Sequence, residues 1–126
     1  IENAKKVGIK IKICLILGLP GEPKNIVDKT IAFIEKQKPD FVSLSGFCPM
    51  PGSPIYQNPK KYDIEFIDKN WDKHAHLLFR FSNNESVGLP FRYKKQTHWG
   101  NSFSREEIIL NIQHIQRWLS SKSMVY

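Results

Sequence analysis

Hydrophobic and polar positions in the first part of the chain change period in an order that predicts alternating helix and strand. Residues 4–8 end in two lysines, a valine and a glycine, which is typical of the last turn of a helix. Isoleucine then alternates with lysine over residues 9–13, and residues 14–17 are continuously apolar, which favours a parallel strand covered on both faces. Residues 26–34 carry apolar side chains at helical spacing, and residues 41–47 return to alternation. The pattern predicts helix end, strand, helix and strand.

Two loops follow these strands and, in the predicted βαβ unit, leave the sheet at the same edge. Such a unit is almost always right-handed, and its strands are parallel. The first loop, residues 18–22, is a sharp turn, with Pro23 expected at the first helical position and Pro39 closing the helix. The second, residues 49–56, holds three prolines and a glycine, which indicates a stiff loop without regular structure. Parallel sheets bind ligands at this edge, so both loops are candidate binding elements.

The second half of the chain carries one strong signal. Ser104 and Glu107 have the spacing of a capping box, and the apolar residues that follow mark one face of a closing helix: Ile108, Ile112, Ile115 and Leu119. Another helix is expected near residues 68–79. Residues 80–99 are the least regular and fit either a loop or an edge hairpin.

Composition is that of an ordinary globular domain, and the charge admits two interpretations. The 126 residues are 40% hydrophobic and 25% charged, and no apolar run approaches the roughly 18 residues of a membrane span. The net charge is +7, but the lysines are spread from Lys5 to Lys122, which favours a solvated surface over a nucleic-acid partner. The first residues lack the features of a signal peptide and are typical of the middle of a chain.

The two cysteines predict neither a disulfide framework nor a complete metal site. Cys14 and Cys48 both lie in apolar runs, where a free cysteine behaves as a small buried hydrophobic residue. We therefore expect inert core thiols and a reducing, cytoplasmic location. His74 and His76 diverge on a helix and are not expected to share a metal ion.

The two loops together resemble the C-terminal half of the radical SAM barrel. The sequence Gly-Leu-Pro-Gly-Glu at 18–22 and the sequence Phe-Cys-Pro-Met-Pro-Gly-Ser-Pro-Ile-Tyr at 47–56 are most similar to enzymes that carry an N-terminal cobalamin-binding domain. The resemblance implies an α/β fold in which strands 9–18 and 41–47 are the fifth and sixth of an incomplete (βα)6 barrel. It implies a truncated barrel over residues 1–80 and a mainly helical extension over residues 81–126.

The resemblance also implies a parent enzyme that reductively cleaves S-adenosylmethionine at a [4Fe–4S] cluster, with cobalamin as an optional second cofactor. The residues it implies for the adenine wall are Ile16, Gly18, Leu19, Phe47 and Pro49. Glu22 falls one residue late for the family's glutamate, so a favourable charge at a helix N-terminus is the preferred role. The three clustered cysteines of the family are absent, so we expect the segment to be inert without the rest of its chain, the N-terminal half of the barrel.

The resemblance also implies a substrate-side lid, for which the candidates are Arg80, Arg92, His98 and Trp99. An ordinary surface ion pair or edge packing is the favoured role for each. The substrate is expected to be a small molecule of unknown identity. Two other hypotheses about the function remain open. One is a methylthiotransferase-like radical SAM enzyme acting on RNA or protein, and the other is a non-catalytic α/β module that binds RNA or anions.

Overall fold

Two parallel strands joined by a helix form the first part of the molecule. In the computed structural model, which describes residues 1–70 and 89–125, strand β1 (Lys12–Leu17) pairs with strand β2 (Phe41–Gly46). Helix α1 (Glu2–Lys6) precedes them, and helix α2 (Ile26–Gln37) connects them. The register runs from Lys12 opposite Phe41 to Leu17 opposite Gly46. The predicted order of helix end, strand, helix and parallel strand is confirmed.

Helix α2 begins later than predicted but ends where it was predicted to end. The helix begins at Ile26 and not at Pro23, because residues 23–26 first form a turn in which the Ile26 N–H donates to the Pro23 carbonyl (3.0 Å). At the other end Lys38 takes a left-handed conformation with φ of 47°, and Pro39 then prevents the helix from continuing. Phe33, predicted on the apolar face, is exposed; Ile34 is the residue of α2 that is fully buried.

The second half of the described chain mixes short helices with antiparallel strands. Helix α3 (Pro54–Gln57) and a 3₁₀ helix (Pro59–Tyr62) lead into strand β3 (Ile64–Ile67), which pairs antiparallel with β4 (Phe91–Tyr93). Strands β5 (Gln96–Thr97) and β6 (Gly100–Asn101) form a small hairpin, and helix α4 (Arg105–Ser121) follows.

The expectation that residues 49–56 lack regular structure is wrong at their end, where α3 begins. Pro54 suits the first helical position, where its missing N–H costs nothing. The Ser53 hydroxyl accepts a hydrogen bond from the Tyr56 N–H (3.2 Å) and so caps the helix.

The predicted barrel is wrong. The described residues form three sheets of two strands each, of which only β1–β2 is parallel. A (βα) barrel requires a series of adjacent parallel strands, whereas the outer edge of β2 meets a single parallel bridge between Val42 and Val125. The mainly helical extension is wrong as well, because β4, β5 and β6 lie within residues 81–126.

Helix α4 supplies a large share of the core. Ile108, Ile112, Ile115 and Leu119 are all buried, as predicted, and cluster with Leu17, Val42, Leu44 and Phe91 from the strands. The capping box is also confirmed: the Ser104 hydroxyl accepts from the Glu107 N–H (3.1 Å), and the Glu107 carboxylate accepts from the Ser104 N–H (2.7 Å).

Strand β1 is not covered on both faces. Lys12, Cys14 and Ile16 share one face and are exposed, whereas Leu17 on the other face is buried. Cys14 is therefore not the core thiol that its apolar neighbours predicted, and Cys48 is only half-buried.

Several predictions fall on residues 71–88, outside the described part of the chain. They are most of the helix predicted near 68–79, the domain boundary after residue 80, the His74 and His76 positions and the lid residue Arg80. Within the described residues, no helix combines the length and the hydrophobicity needed to cross a membrane.

Candidate functional site

The loops that follow β1 and β2 leave the sheet at the same edge, as the sequence predicted. Leu17 and Gly46 are opposite each other at the ends of the two strands, and the Phe47 N–H donates to the Leu17 carbonyl (2.6 Å). The turn at residues 18–22 and the loop that begins at residue 47 therefore start side by side. This edge is the candidate site.

The backbone conformation, packing and hydrogen bonds of Gly18 are all determined by contacts within the protein. Its φ of +92° is left-handed, and a Cβ at this position would lie 3.0 Å from Cγ2 of Ile108 on α4. Its N–H donates to the Glu22 carboxylate (2.8 Å), and its carbonyl accepts from the Tyr93 hydroxyl (2.7 Å). Both backbone groups of Gly18 are thus used within the protein, so its role is to shape the turn.

Glu22 closes the same turn and does not lie at a helix N-terminus, since α2 begins four residues later. One carboxylate oxygen accepts from the N–H groups of both Gly18 (2.8 Å) and Leu19 (3.1 Å). Burial raises the pKa of Glu22, and the two N–H donors partly oppose that rise. The predicted role of Glu22, a favourable charge at a helix N-terminus, is therefore wrong. Glu22 instead accepts hydrogen bonds from two backbone N–H groups of the turn.

Tyr93 is a site residue that sequence reasoning missed. It is buried, stacks edge-to-face on Phe91 with ring centroids 5.2 Å apart, and donates to the Gly18 carbonyl. Burial raises its pKa, and the nearby charge of Glu22 adds to that rise. The only signal for it was the Phe-Arg-Tyr alternation at 91–93, within the stretch that was least regular.

The five residues predicted to border a ligand divide into two groups. Ile16 and Leu19 are 52% and 41% exposed, and these two exposed apolar side chains are called the Ile16–Leu19 ledge. Phe47 packs edge-to-face on Phe91 (5.2 Å) and lies against Gly18, and Pro49 is fully buried, so these residues have packing roles. Of the five, the ledge residues are the most exposed to solvent, and Phe47 is half-buried.

The β5–β6 hairpin lies against the turn. Its Trp99 ring contacts Gly21, with three ring atoms 3.4 Å from where a Cβ would stand. A cavity of about 30 Å³ lies between the turn and the hairpin, lined by residues that include Glu22, Tyr93 and Trp99. This is room for about one water molecule, and not for a nucleoside.

Two other predicted lid residues form surface pairs. The His98 ring contacts the Trp99 ring (centroids 3.6 Å apart) and pairs with the Asp63 carboxylate, which also accepts from the His98 N–H (3.0 Å). Arg92 pairs with Glu65 (2.6 Å) at the β3–β4 sheet. Of these three lid residues, Trp99 therefore reaches the turn, whereas His98 and Arg92 pair with Asp63 and Glu65.

The described residues do not fit an iron–sulfur cluster. Over residues 1–70 and 89–125 no group of three or more His, Cys, Asp or Glu side chains is positioned to hold a metal ion. Burial raises the pKa of Cys48 to about 11, which disfavours the thiolate that such a cluster requires. Any cluster used with this site would take its ligands from other residues.

No protein-family model matches this chain, and no solved structure matches it. The resemblance to radical SAM enzymes consequently rests on the two loop sequences and on their shared edge of the sheet.

Proposed function

We propose that this chain is part of a radical SAM enzyme and that the Ile16–Leu19 ledge contacts the adenine of S-adenosylmethionine. The observation that carries the proposal is the parallel register that ends with Leu17 opposite Gly46, since it brings the two motif-bearing loops to one edge. The proposal does not include a barrel. Residues other than those described would bind the cluster, and would bind cobalamin if the enzyme uses it.

The ledge suits one face of a purine. Adenine is flat and mostly apolar on its faces, and branched aliphatic side chains gain free energy by removing that surface from water. Ile16 and Leu19 are separated along the chain by Leu17 and by Gly18, whose carbonyl is held by Tyr93 and whose N–H is held by Glu22. The turn is therefore preorganised, which lowers the entropic cost of binding.

The role of the described residues is binding and positioning. A reduced cluster held by other residues would supply the electron that cleaves S-adenosylmethionine, and the described residues would bind and orient its adenine. Glu22, the acid of this turn, commits one carboxylate oxygen to two backbone donors, so we assign it no proton transfer. The chain would be inert without the residues that hold the cluster.

The test is an NMR titration of the 126-residue chain labelled at isoleucine and leucine methyl groups. S-adenosylmethionine and 5′-deoxyadenosine should both shift the Ile16 and Leu19 methyl signals, whereas methionine alone should not. Ile16→Ser should abolish the shift of the Leu19 methyl signals. The matched control is Leu110→Ser, which changes an exposed leucine on α4 and should leave the shifts in place.

Two results would overturn the proposal. One is the absence of any methyl shift with either adenosine compound. The other is binding of RNA with a steep dependence on salt and without a response to nucleosides, which would favour the RNA-binding module.

A further inference from the structure

A groove separate from the candidate site lies where α2 and α4 end. Its volume is about 500 Å³, within the range of roughly 300–1,000 Å³ that is typical of small-molecule sites. Ile34 and Pro39 at the end of α2 are buried, and Trp118 and Met124 at the end of α4 are half-buried. These four side chains give the groove an apolar floor.

The rim of this α2–α4 groove is positively charged. Lys38 and Lys122 line it, together with one acid, Glu35. The Lys122 ammonium lies 6.0 Å from the centroid of the Trp118 ring, so its charge lies over the apolar floor. All three charged rim residues are exposed, so their side chains can turn toward a bound molecule.

A lysine on the neighbouring helix offsets the negative end of α2 beside this rim, although it does not line the groove. The ammonium group of Lys5 on α1 donates to the carbonyl of Gln37 (3.0 Å) and to that of Lys38, which neutralises the negative end of α2. The rim of the groove thus carries two ammonium groups, of Lys38 and Lys122, and one carboxylate, of Glu35. The charge is complementary to an anion, and the floor is complementary to an apolar chain.

We propose that the α2–α4 groove binds a free, medium-chain fatty acid or a carboxylate amphiphile of the same kind. Its apolar chain would lie on Trp118 and Met124, and its carboxylate would pair with Lys38 and Lys122. An amphiphile with a cationic head would be repelled by the same rim, and a neutral one would lose both ion pairs. The proposal is independent of the proposed function, because the groove shares no residue with the Ile16–Leu19 ledge.

Methionine methyl NMR on the full chain tests the proposal with decanoate as the probe. The chain has two methionines: Met124 lies in the groove, and Met50 is exposed outside it and serves as an internal reference. At pH 7.5, decanoate below its critical micelle concentration should shift the Met124 signal in a saturable way and leave the Met50 signal unchanged. Decanol and decyltrimethylammonium should shift Met124 much less at the same concentrations.

Charge variants test the rim. Lys38→Gln combined with Lys122→Gln should weaken decanoate binding about fivefold, the loss expected when two exposed ion pairs are removed. Lys10→Gln combined with Lys29→Gln removes the same charge from exposed positions outside the groove and should leave the affinity unchanged. Circular dichroism would establish that both variants are folded.

The proposal is overturned by any of three results. The first is that decanol or decyltrimethylammonium shifts the Met124 signal as strongly as decanoate does. The second is that the two double variants bind decanoate equally. The third is that the Met124 signal responds only to anionic phospholipid vesicles, which would make the surface a membrane contact and not a site for a free amphiphile. The comparison of head groups needs only the unmodified chain, so it remains decisive if a variant does not fold.

Discussion

At the scale of single residues, Gly18 connects the sequence motif to the packing of the whole molecule. Its left-handed backbone turns the chain out of β1, and its missing side chain lets α4 approach through Ile108. The sequence identified Gly18 because glycine punctuates strand ends, and assigned it to a ligand. The structure shows that Tyr93 and Glu22 occupy its backbone groups. Glu22 belongs to the same motif, whereas Tyr93 lies 75 residues away, a contact that no local sequence pattern reveals.

Gly18→Ala should lower the free energy of unfolding by more than the backbone strain alone. That strain costs about 1–3 kcal/mol for a residue other than glycine, and the new Cβ would also meet Ile108 at 3.0 Å. Gly8→Ala is the matched control, because its φ is +78° and nothing lies within 4 Å of the new Cβ. Urea denaturation of both variants measures the difference. Equal losses would show that contact with α4 is unimportant.

At the scale of elements, the strongest sequence signals were local and were confirmed. The capping box and the apolar stripe of α4 depend on residues three or four positions apart, so the pattern determines them directly. The β5–β6 hairpin had no such signal. Its position depends on Asp63, which lies 35 residues before His98 and accepts hydrogen bonds from both the backbone and the ring of that residue.

Asp63→Asn should loosen the hairpin from the 3₁₀ helix and change the surroundings of Trp99. Asn tolerates the left-handed φ of 54° at this position, so the variant removes the charge and leaves the backbone unstrained. The indole signal of Trp99 in NMR spectra should move in the variant. Asp28→Asn, an exposed acid on α2, should leave that signal unchanged.

The same contact predicts how acid acts on the native chain. Hydrogen bonding from the His98 N–H, followed by the His98 side chain and Lys94, lowers the pKa of Asp63. Asp63 therefore contributes stability above the ordinary carboxyl pKa and loses it as the pH falls through the lowered value. The Trp99 signal of the native chain should approach that of Asp63→Asn only in this acidic range. A signal that does not change with pH there would contradict the coupling.

At the scale of the whole molecule, the sequence predicted the βαβ unit and failed on the architecture around it. Parallel pairing follows from the order of elements, because a helix between two strands leaves little alternative. Which elements cover the sheet depends on long-range contacts, such as the bridge from Val42 to Val125 and the packing of Ile108 on Gly18. A resemblance confined to two loops carries no information about those contacts, so the barrel it implied was wrong.

One core shared by both halves of the chain predicts that the described elements unfold together. Ile115 on α4 is fully buried in a cluster that includes Leu44 of β2 and Phe91 of β4. Ile115→Ala should therefore cost about 2–5 kcal/mol. Methyl signals from Leu44 and ring signals from Phe91 should disappear at the same, lower urea concentration, because each strand loses packing when α4 is weakened. Leu110→Ala, on the exposed side of the same helix, should shift neither midpoint by a comparable amount. Separate midpoints for Leu44 and Phe91 would divide the chain into independent units, and α4 would then stabilise only one of them.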